Sequence, residues 1–179
     1  MTDAANQYGT ALYELCRDEG LVKEILPQLK TLQNVIAEEP RFVTLLSAPS
    51  VPKEERCRVI DTVLKGQVHP YLLNFLKILT EKGYMKQFVL CCQVFKDLYN
   101  EDMGILCVTV VTAAPISQEL QDRLQKKLSS VTGKTIDLTC KIEQSCLGGV
   151  RLDFDGKRVD GTVRRRLEDV RNILKNTVL

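Results

Sequence analysis

Nucleophilic, acid–base and metal chemistry all rest on a few residue types, and in this chain of 179 residues those types are thinly spread. His69 is the only histidine, so a Ser/His/Asp or Cys/His relay has to run through it. It stands directly before Pro70, near an expected helix start, and no GxSxG turn presents a nucleophile. A solvent-facing turn histidine is the expectation. The seven cysteines (Cys16, Cys57, Cys91, Cys92, Cys107, Cys140 and Cys146) are odd in number, form no CxxC pair and mostly occupy apolar-periodic positions. A zinc site would need an all-cysteine set drawn from distant segments. They read instead as reduced, packed thiols of a reducing compartment. No cofactor and no metal are expected.

Gly133, Lys134 and Thr135 end like the phosphate loop GxxxxGK[ST], but Leu128 stands where its first glycine belongs. The segment also leaves a helix to enter a strand, whereas a phosphate loop aims a helix N-terminus at the anion. It reads as a helix C-cap. Carboxylates are scattered over wet helical faces, and no pair is poised for acid–base work. Gly148 and Gly149, between strand-like runs, suggest a bulge or a close backbone approach.

Charge is shared unevenly. Residues 1–104 carry 12 Lys+Arg against 14 Asp+Glu, and residues 105–179 carry 13 against 9. The run Lys157, Arg158, Arg164, Arg165 and Arg166 could touch RNA, but few aromatic residues are present to stack bases, and a dense basic surface is lacking. A solvated helix face or a dock for an acidic partner helix fits better. The first residues, MTDAANQYGTALYELC, show no secretory or organellar signal, and no stretch approaches the ~20 apolar residues of a membrane span. Any membrane contact is therefore expected through a partner.

These groups must be positioned by two kinds of element. With 44% hydrophobic and 27% charged residues the chain can bury a core. Up to about residue 103 the apolar residues recur at helical spacing. Tyr8, Ala11, Leu12 and Leu15 form one stripe; Val22, Ile25, Leu26, Leu29, Leu32 and Ile36 a second; Phe42, Leu45 and Leu46 a third; Val59, Ile60, Val63 and Leu64 a fourth. Leu72, Phe75, Leu76 and Leu79 follow Pro70, and Tyr84, Phe88, Cys91, Phe95 and Leu98 complete a six-helix bundle.

After residues 100–104 the period changes from 3.6 to 2, which places a boundary between domains 1–104 and 105–179. ILCVTVVT at 105–112 is β-branched and apolar on both faces, hence a central strand. Pro115 and Ser117 start a helix that buries Leu120, Leu124 and Leu128 and stops at Gly133. Strands are expected around Ile136–Ile142 and Val150–Phe154, then a turn at Asp155 and Gly156. A last helix is expected from Asp160 as N-cap, burying Val163, Leu167, Val170 and Leu174. The fold class is α+β, a six-helix bundle followed by a small β-α-β-β-α domain with a three-stranded sheet.

Read in order, the chain resembles the delta subunit of the F-type ATP synthase, the bacterial relative of the mitochondrial oligomycin-sensitivity-conferring protein. The resemblance is carried by YGTALYEL (8–15), FVTLLSAPSVPKEER (42–56), NFLKILTEKG (74–83), VTVVTAAPIS (108–117), IEQSCLGGVRL (142–152) and DGTVRRRLEDV (160–170). Gly9 stands where the family often has alanine, Tyr84 where arginine is usual, Cys146 where an aliphatic residue is usual, and Thr162 where serine is usual.

The resemblance implies a non-catalytic stator subunit that joins the catalytic head to the peripheral stalk, so that rotation stays coupled to proton transport and ATP synthesis. It implies a groove between the first and fifth helices for the N-terminal helix of an alpha subunit, bordered by Tyr8, Ala11, Leu12, Leu15, Phe75, Leu76 and Leu79. The C-terminal domain, marked by Gly148, Gly149 and Asp160, is implied to meet the b-type stalk subunits. The implied location is the cytoplasmic side of a bacterial plasma membrane, held there by the complex. The competing classes are an RNA-binding or regulatory adaptor and a cysteine enzyme.

Overall fold

The computed structural model describes residues 3–165 and 167. The chain divides into two compact units, Met1–Tyr99 and Asn100–Leu179.

The first unit is helical. Its elements are α1 (Asp3–Asp18), α2 (Val22–Glu38), α3 (Pro40–Ser47), α4 (Lys53–Leu64), α5 (Pro70–Glu81), a single 3-10 turn (Met85–Gln87) and α6 (Phe88–Asp102). Pro40 opens α3 rather than merely closing α2, since Glu39 caps both helices and a proline at N1 forfeits no hydrogen bond. His69 is not a bare turn residue. It is the N-cap of α5, with Nδ1 accepting from the Tyr71 N–H at 3.2 Å and its own N–H donating to Gln28 Oε1 at 2.7 Å.

The core collects Ile25, Leu29, Leu72, Leu76, Leu79, Phe88 and Phe95, and Tyr13 meets Phe95 edge-on at 5.2 Å. Each such side chain contributes about 1.5–3 kcal/mol by leaving water. Leu45 and Val63, expected inside, are 41% and 47% exposed; the fully buried apolar residues are Leu46 on α3 and Ile60 and Leu64 on α4. The sequence hides a buried cation here. Arg56 is 6% exposed, and its Nη1 donates to the Leu46 carbonyl at 2.8 Å, capping the C-terminal end of α3.

α1 lies so close to α6 that a Cβ on Gly9 would stand 2.7 Å from Val94 Cβ and 2.8 Å from the Cys91 carbonyl oxygen. The buried face of α1 is therefore Ala5, Gly9, Leu12, Tyr13 and Cys16, with small residues at the closest approach. The expected stripe is split: Leu12 faces in, while Tyr8 is half-buried and Ala11 and Leu15 are exposed.

In the second unit β1 (Ile105–Thr112) is central, as its two apolar faces require. α7 (Gln118–Thr132) follows, capped by Ser117 Oγ, which accepts from the Leu120 N–H, and ended by Gly133. β2 (Thr135–Ile142) pairs parallel to β1, and β3 (Val150–Phe154) pairs antiparallel on its other side. A fourth strand, β4 (Lys157–Asp160), pairs antiparallel with β3, so the sheet has order β2-β1-β3-β4 and the three-stranded expectation is corrected. KRVD shows no apolar alternation because all four residues are exposed; only its pairing makes it a strand.

Leu106, Val108, Val110 and Ile136 form the second core, with Leu124, Leu128, Leu152 and Phe154 packed on it. Leu120, expected in this core, is 52% exposed, since α7 buries no residue completely. The second unit begins at Asn100, whose Nδ2 donates to Cys107 Sγ on β1 at 3.2 Å. Of the expected last helix, Val163 and Leu167 are exposed rather than buried, and Val170 and Leu174 lie outside the described residues.

Candidate functional site

In the first unit the informative surface is the outer stripe of α1. Tyr8, Ala11 and Leu15 recur at i, i+3 and i+7, the spacing that a visiting helix can follow. Leu15 is 44% exposed. Just past the end of α5, the half-exposed Tyr84 sets its ring 5.7 Å from that of Tyr8, tilted by 47°. The α5 residues expected to border a groove do not reach the surface. Phe75, Leu76 and Leu79 are 6%, 1% and 0% exposed and belong to the core. The apolar side chain that α5 does expose is Ile78, 43% open to solvent. Periodicity alone could not choose, because α5 is apolar on two faces; an apolar residue left outside the core stripe was the available signal.

In the second unit Gly148 and Gly149 mark a close crossing. A Cβ on Gly149 would lie 2.6 Å from the Gly161 carbonyl oxygen and 3.0 Å from Thr162 Cα, and the residue has φ +79°. Two hydrogen bonds zip the crossing, Gly161 N–H to Val150 O and Val163 N–H to Gly148 O, both at 3.0 Å. Asp160 is not the helix cap. It ends β4, and its Oδ1 accepts from both the N–H and the hydroxyl of Thr162, at 3.0 and 2.7 Å. Thr162 Oγ1 in turn accepts from the Arg165 N–H at 3.3 Å, the capping contact itself. Serine in its place would supply the same oxygen.

Beside this crossing lies an ion network that the missed strand creates. Strand alternation turns Leu152 and Phe154 to the core, so Arg151 and Asp153 face the other way, opposite Asp160 and Arg158 on β4. Arg151 donates to Glu143 at 3.0 Å and to Asp153 at 3.3 Å, and Arg158 donates to Asp153 at 2.9 Å. The Ser145 hydroxyl and then Arg151 hold the Glu143 carboxyl below its usual range, and the Thr162 hydrogen bonds do the same for Asp160. Burial pushes Asp153 up, but its bonds to Arg158 and Arg151 outweigh this and the net shift is downward. All three stay charged at neutral pH. No aromatic ring stands on this face for stacking bases among the described residues.

A further hollow of about 740 Å³ lies among α2, α3 and the start of α6 and is lined largely by apolar groups such as Ile36, Val43 and Val89. Nothing in it does chemistry. Burial pushes the thiols of Cys16 and Cys91 up to about 11 and also raises Cys92, so none of the three is a thiolate at neutral pH. Cys107 and Cys140 are exposed, against the expectation of packed thiols. Among the described residues no His, Cys, Asp and Glu side chains group to hold a metal, and no helix is long and apolar enough to cross a membrane.

A helical unit with an exposed apolar stripe, and a sheet unit whose polar groups are spent on pairing strands and caps, define a structural protein that works by holding other chains. Residues 4–174 match the family described as ATP synthase delta (OSCP) subunit. ATP synthase subunit delta of Clostridium kluyveri is 26% identical over 168 residues, covering 94% of this chain and 93% of that one. The protein of the same name from Leuconostoc citreum is 29% identical over 168 residues, 93% of each chain. A chain in the cryo-EM structure of the Toxoplasma gondii mitochondrial ATP synthase hexamer shares the fold, with a TM-score of 0.76 at 17% identity over 97% of this chain and 98% of that one. The chain belongs to the ATP synthase delta (OSCP) subunit family. It is a non-catalytic subunit with a stator role in the peripheral stalk.

Proposed function

We propose that the stator role is divided between the two units. The first is a six-helix bundle that holds the N-terminal helix of an alpha subunit, and the second meets the b-type stalk subunits. The chain then sits on the cytoplasmic side of a bacterial plasma membrane, attached only through the complex. The observation that carries the first half is the outer stripe of α1: Ala11 and Leu15 are apolar, helically spaced and left out of the core, and the half-buried Tyr8 continues their line at the core's edge. Tyr84 continues that stripe past the end of α5. Torque passes through such contacts without any chemical step.

Ala11→Glu tests this. Ala11 is exposed, so the variant keeps its fold, whereas a visiting helix buries the new carboxylate without a partner. That costs about 3 kcal/mol or more, a loss of over a hundredfold in affinity for a peptide of the alpha-subunit N-terminus measured by calorimetry. Leu12→Glu, placed in the core, instead unfolds the unit. A folded Ala11→Glu chain that binds the peptide at wild-type affinity removes the stripe as the site.

A further inference from the structure

The sheet of the second unit has two edge strands, and they differ. β4 is four residues long and carries Lys157, Arg158 and Asp160, a short charged edge of the kind that resists pairing. β2 runs for eight residues with β1 on one side only. The Thr135 N–H donates to the Gly104 carbonyl and the Glu143 N–H to the Thr112 carbonyl, so the odd-numbered residues of β2 aim their backbone groups at β1. The even-numbered ones therefore aim theirs outward. α7 covers the outward carbonyls where the strand begins: Ser129 Oγ donates to Lys134 O and Gln125 Nε2 to Ile136 O, both at 2.7 Å. Further along, Leu138, Cys140 and Ile142 have no such cover among the described residues, and their outward N–H and C=O groups are open to another strand.

The side chains of this edge alternate. Leu138, Cys140 and Ile142 share the face of the buried Ile136, whereas Asp137, Thr139 and Lys141 stand on the opposite face and are exposed. Asp137 meets only the Cys107 thiol, at 3.8 Å, and neither it nor Lys141 enters a salt bridge among the described residues. Such a strand is complementary to itself. Two copies laid antiparallel about a two-fold axis at Thr139 bring Asp137 of each opposite Lys141 of the other. Both pairs fall at non-hydrogen-bonded positions, where facing side chains are closest. Leu138 of each copy then exchanges backbone hydrogen bonds with Cys140 of the other. Moving the axis to Cys140 keeps the backbone bonding but sets Asp137 against the other copy's Glu143, so charge selects the first register.

We propose that the open half of the β2 edge is a pairing site for a second copy of this chain, joined through antiparallel β2 strands with Asp137 and Lys141 as reciprocal ion pairs. The contact uses the same patch on both copies, so it closes at a dimer. Two such short edges bury less than the ~1,200 Å² of a stable assembly, and the dissociation constant is therefore on the order of 100 μM. This inference is independent of which subunits the two units meet in the stator.

Sedimentation equilibrium of the full chain under reductant, from about 10 to about 500 μM, is the test. The wild type is expected to pass from monomer to dimer over this range. Asp137→Lys and Lys141→Asp each set like charges across both pairs and weaken the dimer about tenfold, whereas the double swap restores it to within about threefold of wild type. Circular dichroism checks the fold, which these exposed side chains do not hold together. Mild oxidation reads the register. In the Thr139→Cys, Cys140→Ser variant the two new thiols face each other across the axis at a Cα separation of about 4.5 Å, within disulfide reach, and mass spectrometry should find position 139 linked to itself. A wild type that stays monomeric to about 500 μM, or a double swap no tighter than the single variants, overturns the proposal. A Cys140 to Cys140 link in the oxidised wild type, with none at position 139 in the variant, overturns the register and the reciprocal ion pairs with it.

Discussion

Gly9→Ala adds a single methyl group at the tightest crossing in the first unit. Its carbon would start 2.7 Å from Val94 Cβ, 3.0 Å from Val94 Cγ1 and 2.8 Å from the Cys91 carbonyl oxygen. Non-bonded carbons settle at about 3.5–4.0 Å, so α1 must retreat from α6 by roughly 1 Å. Neither obstacle can swing away, because one is a β-branched stem and the other is helix backbone. Overpacking of this kind costs about 1–3 kcal/mol, and alanine's better helix propensity returns about 0.5–1 kcal/mol. The net expectation is a loss of about 1–2 kcal/mol, which lowers the melting temperature of a unit this size by roughly 5–15 °C. The assay is thermal unfolding followed by helical circular dichroism, with Asn6→Ala, on the exposed side of α1, as a control that changes little. Adding Val94→Ala to Gly9→Ala recovers only part of the loss, because the Cys91 carbonyl stays in the way. If Gly9→Ala melts at or above the wild-type temperature, the helices are not packed backbone to backbone here and the reasoning fails.

Two further outcomes concern the second unit. Gly149→Ala destabilises it by more than Gly9→Ala does the first, because the new methyl meets the backbone of Gly161 and Thr162 in a left-handed conformation; urea titration of the variant checks this, and wild-type stability refutes it. Glu143, Asp153 and Asp160 have folded values depressed below their ordinary 4.5, 3.8 and 3.8, so the stability they contribute is complete above those values and is lost as pH falls through and below them. Acid unfolding of the second unit should therefore begin below about pH 4.5 and be blunted in the Glu143→Gln, Asp153→Asn double variant, which a pH series of thermal melts will show.

The periodicity of the chain was enough to find the helices and β1, because amphipathic spacing and an all-apolar β-branched run answer directly to burial. Pro70 at N1, Ser117 as N-cap and Gly133 as C-cap were legible for the same local reason: each bonds or bends only its own neighbours. Membership of a non-catalytic family was legible too, since it rests on motif order across the whole chain. Spacing does not say which of two apolar faces turns inward. Ala11 and Leu15 were left outside because Ala5 and Gly9 let the other face of α1 close on α6, a choice made by two helices together. Phe75, Leu76 and Leu79 went to the core by the same arbitration, leaving Ile78 outside. β4 has no pattern of its own and exists through its partner β3, so the Arg151–Asp153–Arg158 network that depends on it was invisible in one dimension. Local chemistry writes elements into sequence, but which surfaces stay exposed, and which charges meet, is decided only when distant segments compete for the same buried space.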